Sequence, residues 1–148
     1  LLGQHGVEYV VVGGVAAVLQ GAPVTTFDID ALVKVDQANL DRLEKALIDL
    51  NARYREHRDL RPTRRDLDSG GHYLLITDSG PFDVLGSISG GKRYDDVVAS
   101  ALEMSVGDLS IKVLPLAALI DEKKALGRDK DLAVLRLLES VLRKSRDQ

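Results

Sequence analysis

Two acidic residues spaced two apart are the first sign of chemistry in this chain. Asp28 and Asp30 lie between Phe27 and Val33, where apolar and acidic residues alternate as they do on a strand with two different faces. Residues two apart on a strand point to the same face, so we expect Asp28 beside Asp30, with Ile29 in the core. Adjacent carboxylates repel each other unless a cation joins them, and magnesium prefers such oxygen ligands. An edge strand with two solvated acids would show the same spacing, so the pair alone leaves both interpretations open.

A third acid follows on a later predicted strand. Asp83 stands between apolar neighbours in Phe82-Asp83-Val84-Leu85, where an unpaired charge would be unfavourable. Alone it would be an exposed position on a half-buried strand. If this strand lies beside the first, Asp28, Asp30 and Asp83 converge, an arrangement suited to two metal ions that clamp a phosphoryl group. One of the three, with Asp83 as a candidate, could also accept a proton from the attacking group.

A glycine pair supplies the second half of the predicted site. Gly13-Gly14 follows a buried strand at Val7–Val12 and precedes a short helix at Val15–Gln20. Glycines at such a turn let backbone N–H groups approach a phosphate, and a helix N-terminus favours an anion there. A Gly-Gly pair by itself more often marks only a turn.

The remaining pattern predicts an α+β fold, a mixed sheet with helices packed mainly on one face, in a single domain over residues 1–148. Charged residues, a proline and paired glycines predict a long surface loop from Arg53 to Gly71. The other predicted elements are a helix capped by Asp36 and running to Leu50, a hairpin of His72–Thr77 with Phe82–Leu85, a short helix at Tyr94–Ser100, a hairpin of Met104–Val106 with Leu109–Val113, and two helices within 115–144, separated at Gly127 and packed on the sheet.

Composition limits the classes of function. The 148 residues are 45% hydrophobic, which suits one domain with a core, and the formal net charge of -3 gives no overall attraction to nucleic acid or membrane. The absence of cysteine excludes disulfides and thiolate metal sites. No apolar run is long enough to cross a bilayer. We expect a cytoplasmic domain without a membrane partner.

These segments resemble the signature of the polymerase-β-like nucleotidyltransferase superfamily. The resemblance lies in Val11-Val12-Gly13-Gly14-Val15-Ala16 through Gly21 and in Thr26-Phe27-Asp28-Ile29-Asp30, with Phe82–Leu85 matching a later acidic strand. The Gly-Gly form is similar to small bacterial members related to the toxins of abortive-infection systems. Val113-Leu114-Pro115-Leu116, Lys123 and Arg128-Asp129-Lys130-Asp131-Leu132 fit the tail of that pattern.

The resemblance implies a nucleotidyltransferase fold and a metal-dependent enzyme. Asp28, Asp30 and Asp83 would hold two magnesium ions, which manganese could replace. A nucleoside triphosphate would be bound by four residues: Gly13, Gly14, Thr26 and Lys123. The nucleoside monophosphate would pass to a hydroxyl of a protein, an RNA end such as tRNA, or a small molecule, with release of pyrophosphate. A cognate antitoxin or toxin would be the expected protein partner.

One departure keeps an alternative open. Related sequences often carry a basic residue just before the Thr-x-Asp-x-Asp segment, whereas Val24 stands here. The chain could therefore be a non-catalytic nucleotide- or protein-binding module of a toxin–antitoxin-type pair. Lys123 is also ambiguous, because a lysine on an apolar helix stripe either extends past the core to solvent or meets an anion.

Two other basic features compete with this site. Six arginines crowd the predicted loop and could guide a polyanionic acceptor, although the acids among them favour a solvated loop; they are Arg53, Arg55, Arg58, Arg61, Arg64 and Arg65. The segment Gly86–Arg93 nearly matches a phosphate-binding P-loop with Lys92 as its lysine. Arg93 stands where that motif needs Ser or Thr, which makes a P-loop phosphotransferase the weaker hypothesis.

Overall fold

The computed structural model describes residues 2–23, 28–127 and 129–146. Within them, seven strands form one mixed sheet in the order β3-β4-β5-β2-β1-β7-β6. The strands are β1 (Tyr9–Val12), β2 (Ile29–Val33), β3 (Arg53–Tyr54), β4 (His72–Thr77), β5 (Gly80–Leu85), β6 (Leu102–Val106) and β7 (Leu109–Val113). The helices are α1 (Gly13–Leu19), α2 (Gln37–Asp49), α3 (Arg64–Asp68), α4 (Tyr94–Val97), α5 (Leu116–Leu126) and α6 (Asp129–Arg146).

The helix ends follow from local chemistry. The Asp36 carboxylate accepts a 2.7 Å hydrogen bond from the backbone N–H of Asn39 and so caps α2 as predicted. Three leucines spaced three and four apart, Leu40, Leu43 and Leu47, bury one face of that helix. Gly127 ends α5 in the left-handed conformation, with φ of 61°, which a residue without a Cβ adopts at little energetic penalty.

Two separate hydrophobic cores cover the two faces of the sheet. Leu32 belongs to the core beneath α1, α4, α5 and α6. Its neighbours Ala31 and Val33 belong to the core beneath α2 and α3. Since successive strand residues point to opposite faces, helices pack on both faces. The prediction of helices mainly on one face is therefore wrong: Ala31, Leu32 and Val33 bury β2, a central strand between β1 and β5, on both faces.

The predicted loop from Arg53 to Gly71 contains regular structure. β3 pairs with the edge of β4, and α3 begins with a reciprocal capping box between Thr63 and Asp66. The Tyr54 hydroxyl donates a 2.7 Å hydrogen bond to the Asp66 carboxylate, which ties the strand to the helix. The prediction of one long surface loop is therefore wrong at Arg53–Tyr54 and Arg64–Asp68.

The other predicted hairpins and helices are confirmed with small shifts at their ends. α1 begins directly at Gly13, so the glycine pair forms the first turn of the helix instead of a preceding loop. A 3-10 turn at Val98–Ser100 completes the predicted short helix. In the part of the chain that the structure describes, no helix combines the length and apolar character needed to cross a membrane.

Candidate active site

Two of the predicted carboxylates face each other across neighbouring strands. β2 and β5 run parallel, and their register pairs Asp30 directly with Asp83. Side chains of directly opposite residues stand on the same face of a sheet. Asp83 is only 9% exposed. The sheet therefore holds two acids side by side, Asp83 buried and Asp30 partly buried, and the strands of Asp30 and Asp83 are adjacent, as the convergence of the two acids required.

The surroundings of Asp30 disfavour its ionised form. Burial, with the neighbouring carboxylates of Asp83 and Asp28 as additional causes, raises the pKa of Asp30 from 3.8 to about 7, while Lys123 acts in the opposite direction. The Oδ1 atom of Asp30 is buried and has no hydrogen-bond partner among the described residues. A buried carboxylate oxygen without a donor is a position that a cation would stabilise.

Gly13 borders this carboxylate directly. Its φ of +70° is a left-handed conformation that other residues adopt only with strain. A Cβ built at this position would overlap the Oδ2 atom of Asp30. The register of β1 with β2, which pairs Val12 with Asp30, explains the approach, because Gly13 follows Val12. Both the backbone conformation and the space beside Asp30 therefore require glycine here.

Arg55 lies at the same site, although the sequence placed it in a solvated loop. Its Nη2 donates a 2.5 Å hydrogen bond to Asp83 Oδ1, and its Nη1 lies 3.7 Å from Asp28 Oδ2. The guanidinium therefore joins two of the three acids. In the sequence, the alternation Arg53-Tyr54-Arg55 could have indicated this placement, because it has the period of a short strand and gives both arginines the same face.

The remaining predicted residues divide into three groups. The positive charge of Lys123 acts to lower the pKa of Asp30, so this lysine contributes to the electrostatics of the site. Gly14 follows Gly13 in the first turn of α1. Thr26, and Val24 with it, fall outside the described residues, so the predicted contact of Thr26 with nucleotide stays a prediction.

The structure corrects the placement of Ile29. Alternation along β2 turns it to the face opposite Asp30, as predicted, but it is 43% exposed instead of entering the core. It is the first residue of β2 and lies at the end of the strand, whereas Ala31 and Val33 further along are buried.

Comparison with known proteins supports the fold. No protein-family model and no curated protein match the chain. The crystal structure of a Thermotoga maritima protein assigned as a nucleotidyltransferase is similar, with a TM-score of 0.55 and 22% sequence identity. The similarity covers 88% of this chain and 80% of that one. The chain has a nucleotidyltransferase fold. At this identity the similarity shows the fold alone.

The P-loop-like segment Gly86–Arg93 contacts α5 instead of forming an open phosphate-binding loop. Ser89–Gly91 forms a 3-10 turn, and Lys92 is exposed at its end. The backbone N–H of Ser89 donates a 3.0 Å hydrogen bond to the Glu122 carboxylate on α5. A phosphate would have to displace this carboxylate, which weakens the P-loop hypothesis. The contact also fastens the segment to the helix that carries Lys123.

The donor set of the site fits a hard divalent cation, although the side chains are not yet arranged around one. The three acids offer only carboxylate oxygens, which magnesium and manganese accept. The unpartnered Asp30 Oδ1 offers such an oxygen, and the missing side chain of Gly13 leaves room for the Asp30 carboxylate. Among the described side chains, however, no three His, Cys, Asp or Glu residues stand in metal-binding geometry. We attribute this to the Arg55 guanidinium, a cation already bound to two of the acids.

Proposed function

We propose that this chain is a metal-dependent nucleotidyltransferase that moves a nucleoside monophosphate from a nucleoside triphosphate to a hydroxyl acceptor. The observation that carries the proposal is the direct pairing of Asp30 with Asp83 beside Gly13, on a nucleotidyltransferase fold. Three acids with one unpartnered buried oxygen have little structural value, because mutual repulsion destabilises the fold. Their presence is better explained by a cationic ligand.

The proposed reaction needs positioning and charge neutralisation more than covalent catalysis. The acceptor oxygen attacks the α-phosphorus, the bond from that phosphorus to the β-phosphate oxygen breaks, and pyrophosphate leaves. The acceptor proton passes to a carboxylate of the site. Asp28, Asp30 and Asp83 would hold the metal ions, which supply positive charge to the phosphate oxygens when bound.

The other residues of the site serve the triphosphate. The first turn of α1 has backbone N–H groups without helical acceptors, and Gly13 and Gly14 leave them open to a phosphate. Lys123 adds a positive charge from α5. Thr26 completes the nucleotide-binding set implied by the resemblance to the superfamily.

Label transfer tests this function. The protein is incubated with each α-labelled nucleoside triphosphate and magnesium, together with total RNA and cell extract as acceptors. Wild type, Asp30→Asn, and Asp108→Asn as an exposed acid on the β6–β7 turn are compared. We expect label on one class of acceptor with wild type and Asp108→Asn, and a loss of at least about a hundredfold with Asp30→Asn. Equal transfer by wild type and Asp30→Asn would refute the assignment of the site.

The Arg55 contacts favour one alternative function. Because the guanidinium already joins Asp28 and Asp83, the acids could be neutralised permanently without metal. In that case the chain would be a non-catalytic nucleotide- or protein-binding module, such as one partner of a toxin–antitoxin-type pair. Absence of both label transfer and magnesium-dependent triphosphate binding in wild type would select this alternative.

A further inference from the structure

We propose that Arg55 is an additional binding residue of this site, whose guanidinium leaves Asp28 and Asp83 and binds a phosphate of the triphosphate once divalent cations occupy the carboxylates. The inference rests on the proposed function, because it assumes that the acids bind metal. It adds a residue, and a competition between two cations, that the resemblance to the superfamily does not include.

Backbone hydrogen bonds fix the position of Arg55 next to the sheet. Its backbone N–H donates a 3.0 Å hydrogen bond to Leu74 O, which continues the pairing of β3 with β4. Leu74 pairs with Asp83, and Asp83 pairs with Asp30. One row across the sheet therefore carries the arginine and both acids on the same face. The backbone of Arg55 is fixed at this row, so only its side chain can change partner.

Arg55 and a metal ion would compete for the same carboxylates. The guanidinium contacts Asp83 Oδ1 at 2.5 Å and approaches Asp28 Oδ2 at 3.7 Å. A metal ion bound by these carboxylates would compete with Arg55 for Asp83 Oδ1 and for the Asp28 carboxylate, and its charge would repel the guanidinium. Each cation therefore weakens the binding of the other to these acids. Arg55 reduces the repulsion among the acids only until the metal replaces it.

The displaced Arg55 side chain would find a new partner in a phosphate group. The Arg55 side chain is 28% exposed, so it borders solvent from which a triphosphate would enter. Its Nη2 also donates to Leu75 O at 3.2 Å, while its buried Nε has no partner among the described residues. A planar guanidinium with unused N–H groups binds phosphate in the same paired geometry as carboxylate. A phosphate beside the metal-loaded acids would thus replace the carboxylate that Arg55 loses.

This exchange predicts effects of opposite sign from one substitution. Removing the guanidinium in Arg55→Gln removes a competitor, so Mn²⁺ binding in the absence of nucleotide should become about tenfold tighter. The same substitution removes a phosphate contact, so binding of inorganic tripolyphosphate at saturating magnesium should become at least about tenfold weaker. A residue that only stabilises the fold would not change the two affinities in opposite directions.

The experiment compares the full chain with two variants of Arg55 and one matched control. Free Mn²⁺ is measured by electron paramagnetic resonance, and tripolyphosphate binding by calorimetry. Arg53→Gln is the control, because Arg53 lies two residues before Arg55 and contacts Asp78, which is not one of the three acids. Arg55→Lys retains the charge without the planar fork, so it should bind Mn²⁺ as wild type does while losing tripolyphosphate affinity. Circular dichroism verifies that each variant folds. If Arg55→Gln does not fold, the two affinities of Arg55→Lys test the inference.

The outcomes separate this inference from the proposed function. Opposite shifts in Arg55→Gln, with Arg53→Gln unchanged, support the exchange. If wild type binds Mn²⁺ but both affinities fall together or neither changes in Arg55→Gln, Arg55 only organises the acids and the inference is wrong while the proposed function stands. If wild type binds no Mn²⁺, both are wrong. If Arg55→Lys binds tripolyphosphate as wild type does, the guanidinium makes no specific phosphate contact and the exchange is refuted.

Discussion

Replacing Asp30 with asparagine should stabilise the metal-free protein at neutral and alkaline pH. The pKa of Asp30 is raised from 3.8 to about 7, chiefly by burial. The folded protein therefore keeps a proton on this carboxyl up to about pH 7, whereas the unfolded chain loses it near pH 4. Between these values the unfolded chain binds fewer protons, so the free energy of unfolding falls as pH rises. Asp30→Asn removes this charge and should remove the fall.

The magnitude follows from the size of the shift. A rise from 3.8 to about 7 corresponds to roughly 4 kcal/mol at 1.36 kcal/mol per pKa unit. The side chain is only half-buried, and screening by solvent reduces the measurable effect to about 2 kcal/mol. The variant should therefore match wild type at pH 4 and be more stable by about that amount at pH 8.

Urea denaturation in EDTA at four pH values from 4 to 8 provides the measurement. Asp108→Asn, at an exposed turn position, is the control for the loss of any one negative charge. The deciding quantity is the difference in the free energy of unfolding between Asp30→Asn and wild type. If this difference is the same at every pH, Asp30 is an ordinary ionised carboxylate and the argument for an unsatisfied acid at this position fails.

Three further predictions test the scaffold around the site. Gly13→Ala forces a Cβ into a left-handed conformation against the Asp30 carboxylate and should lower the free energy of unfolding by about 1–3 kcal/mol in urea. Gln20→Ala removes side-chain hydrogen bonds to Leu114 O at 2.8 Å and from Leu116 N at 3.0 Å, so a loss of about 1–3 kcal/mol is expected by the same assay. Magnesium added at pH 8 should raise the melting temperature of wild type and leave Asp30→Asn unchanged, measured by calorimetry.

The acid pair could be predicted because its signal is local. A period-two pattern assigns the face of every residue on a strand, so Asp30 and Asp83 needed only adjacent strands to meet. The helix layers were misassigned for a different reason, because the order of strands, helices and hairpins along the chain suggested one layer of helices. Ala31, Leu32 and Val33 form a continuous apolar run after the two acids, and such a run marks a strand buried on both faces. The alternation of acids and apolar residues before this run belongs to the site at the end of the strand.

The segment 53–71 could not be predicted because its structure depends on contacts outside local periodicity. α3 has five residues, too few for a repeating apolar face, and Leu67 is its one buried side chain. The helix is defined instead by the Thr63–Asp66 capping box and by the hydrogen bond from Tyr54 to Asp66. Charged residues that resemble a solvated loop in sequence are here paired with one another. The sequence alone does not indicate which of these charged residues pair, because the partners meet only in the folded chain.

The position of Arg55 shows how the sheet edge contributes to the site. Adjacent strands lie about 4.8 Å apart, so Arg55, which directly follows β3, is separated from Asp83 on β5 by about 10 Å at the backbone. An extended arginine can cover that distance over Leu74, which is 46% exposed on the intervening strand, whereas a shorter side chain could not. A glutamine or alanine at this position would therefore leave the acids without their present partner. Because register alone aligns Arg55, Asp83 and Asp30, a chain without β3 would keep the carboxylates and lose the cation that pairs with them.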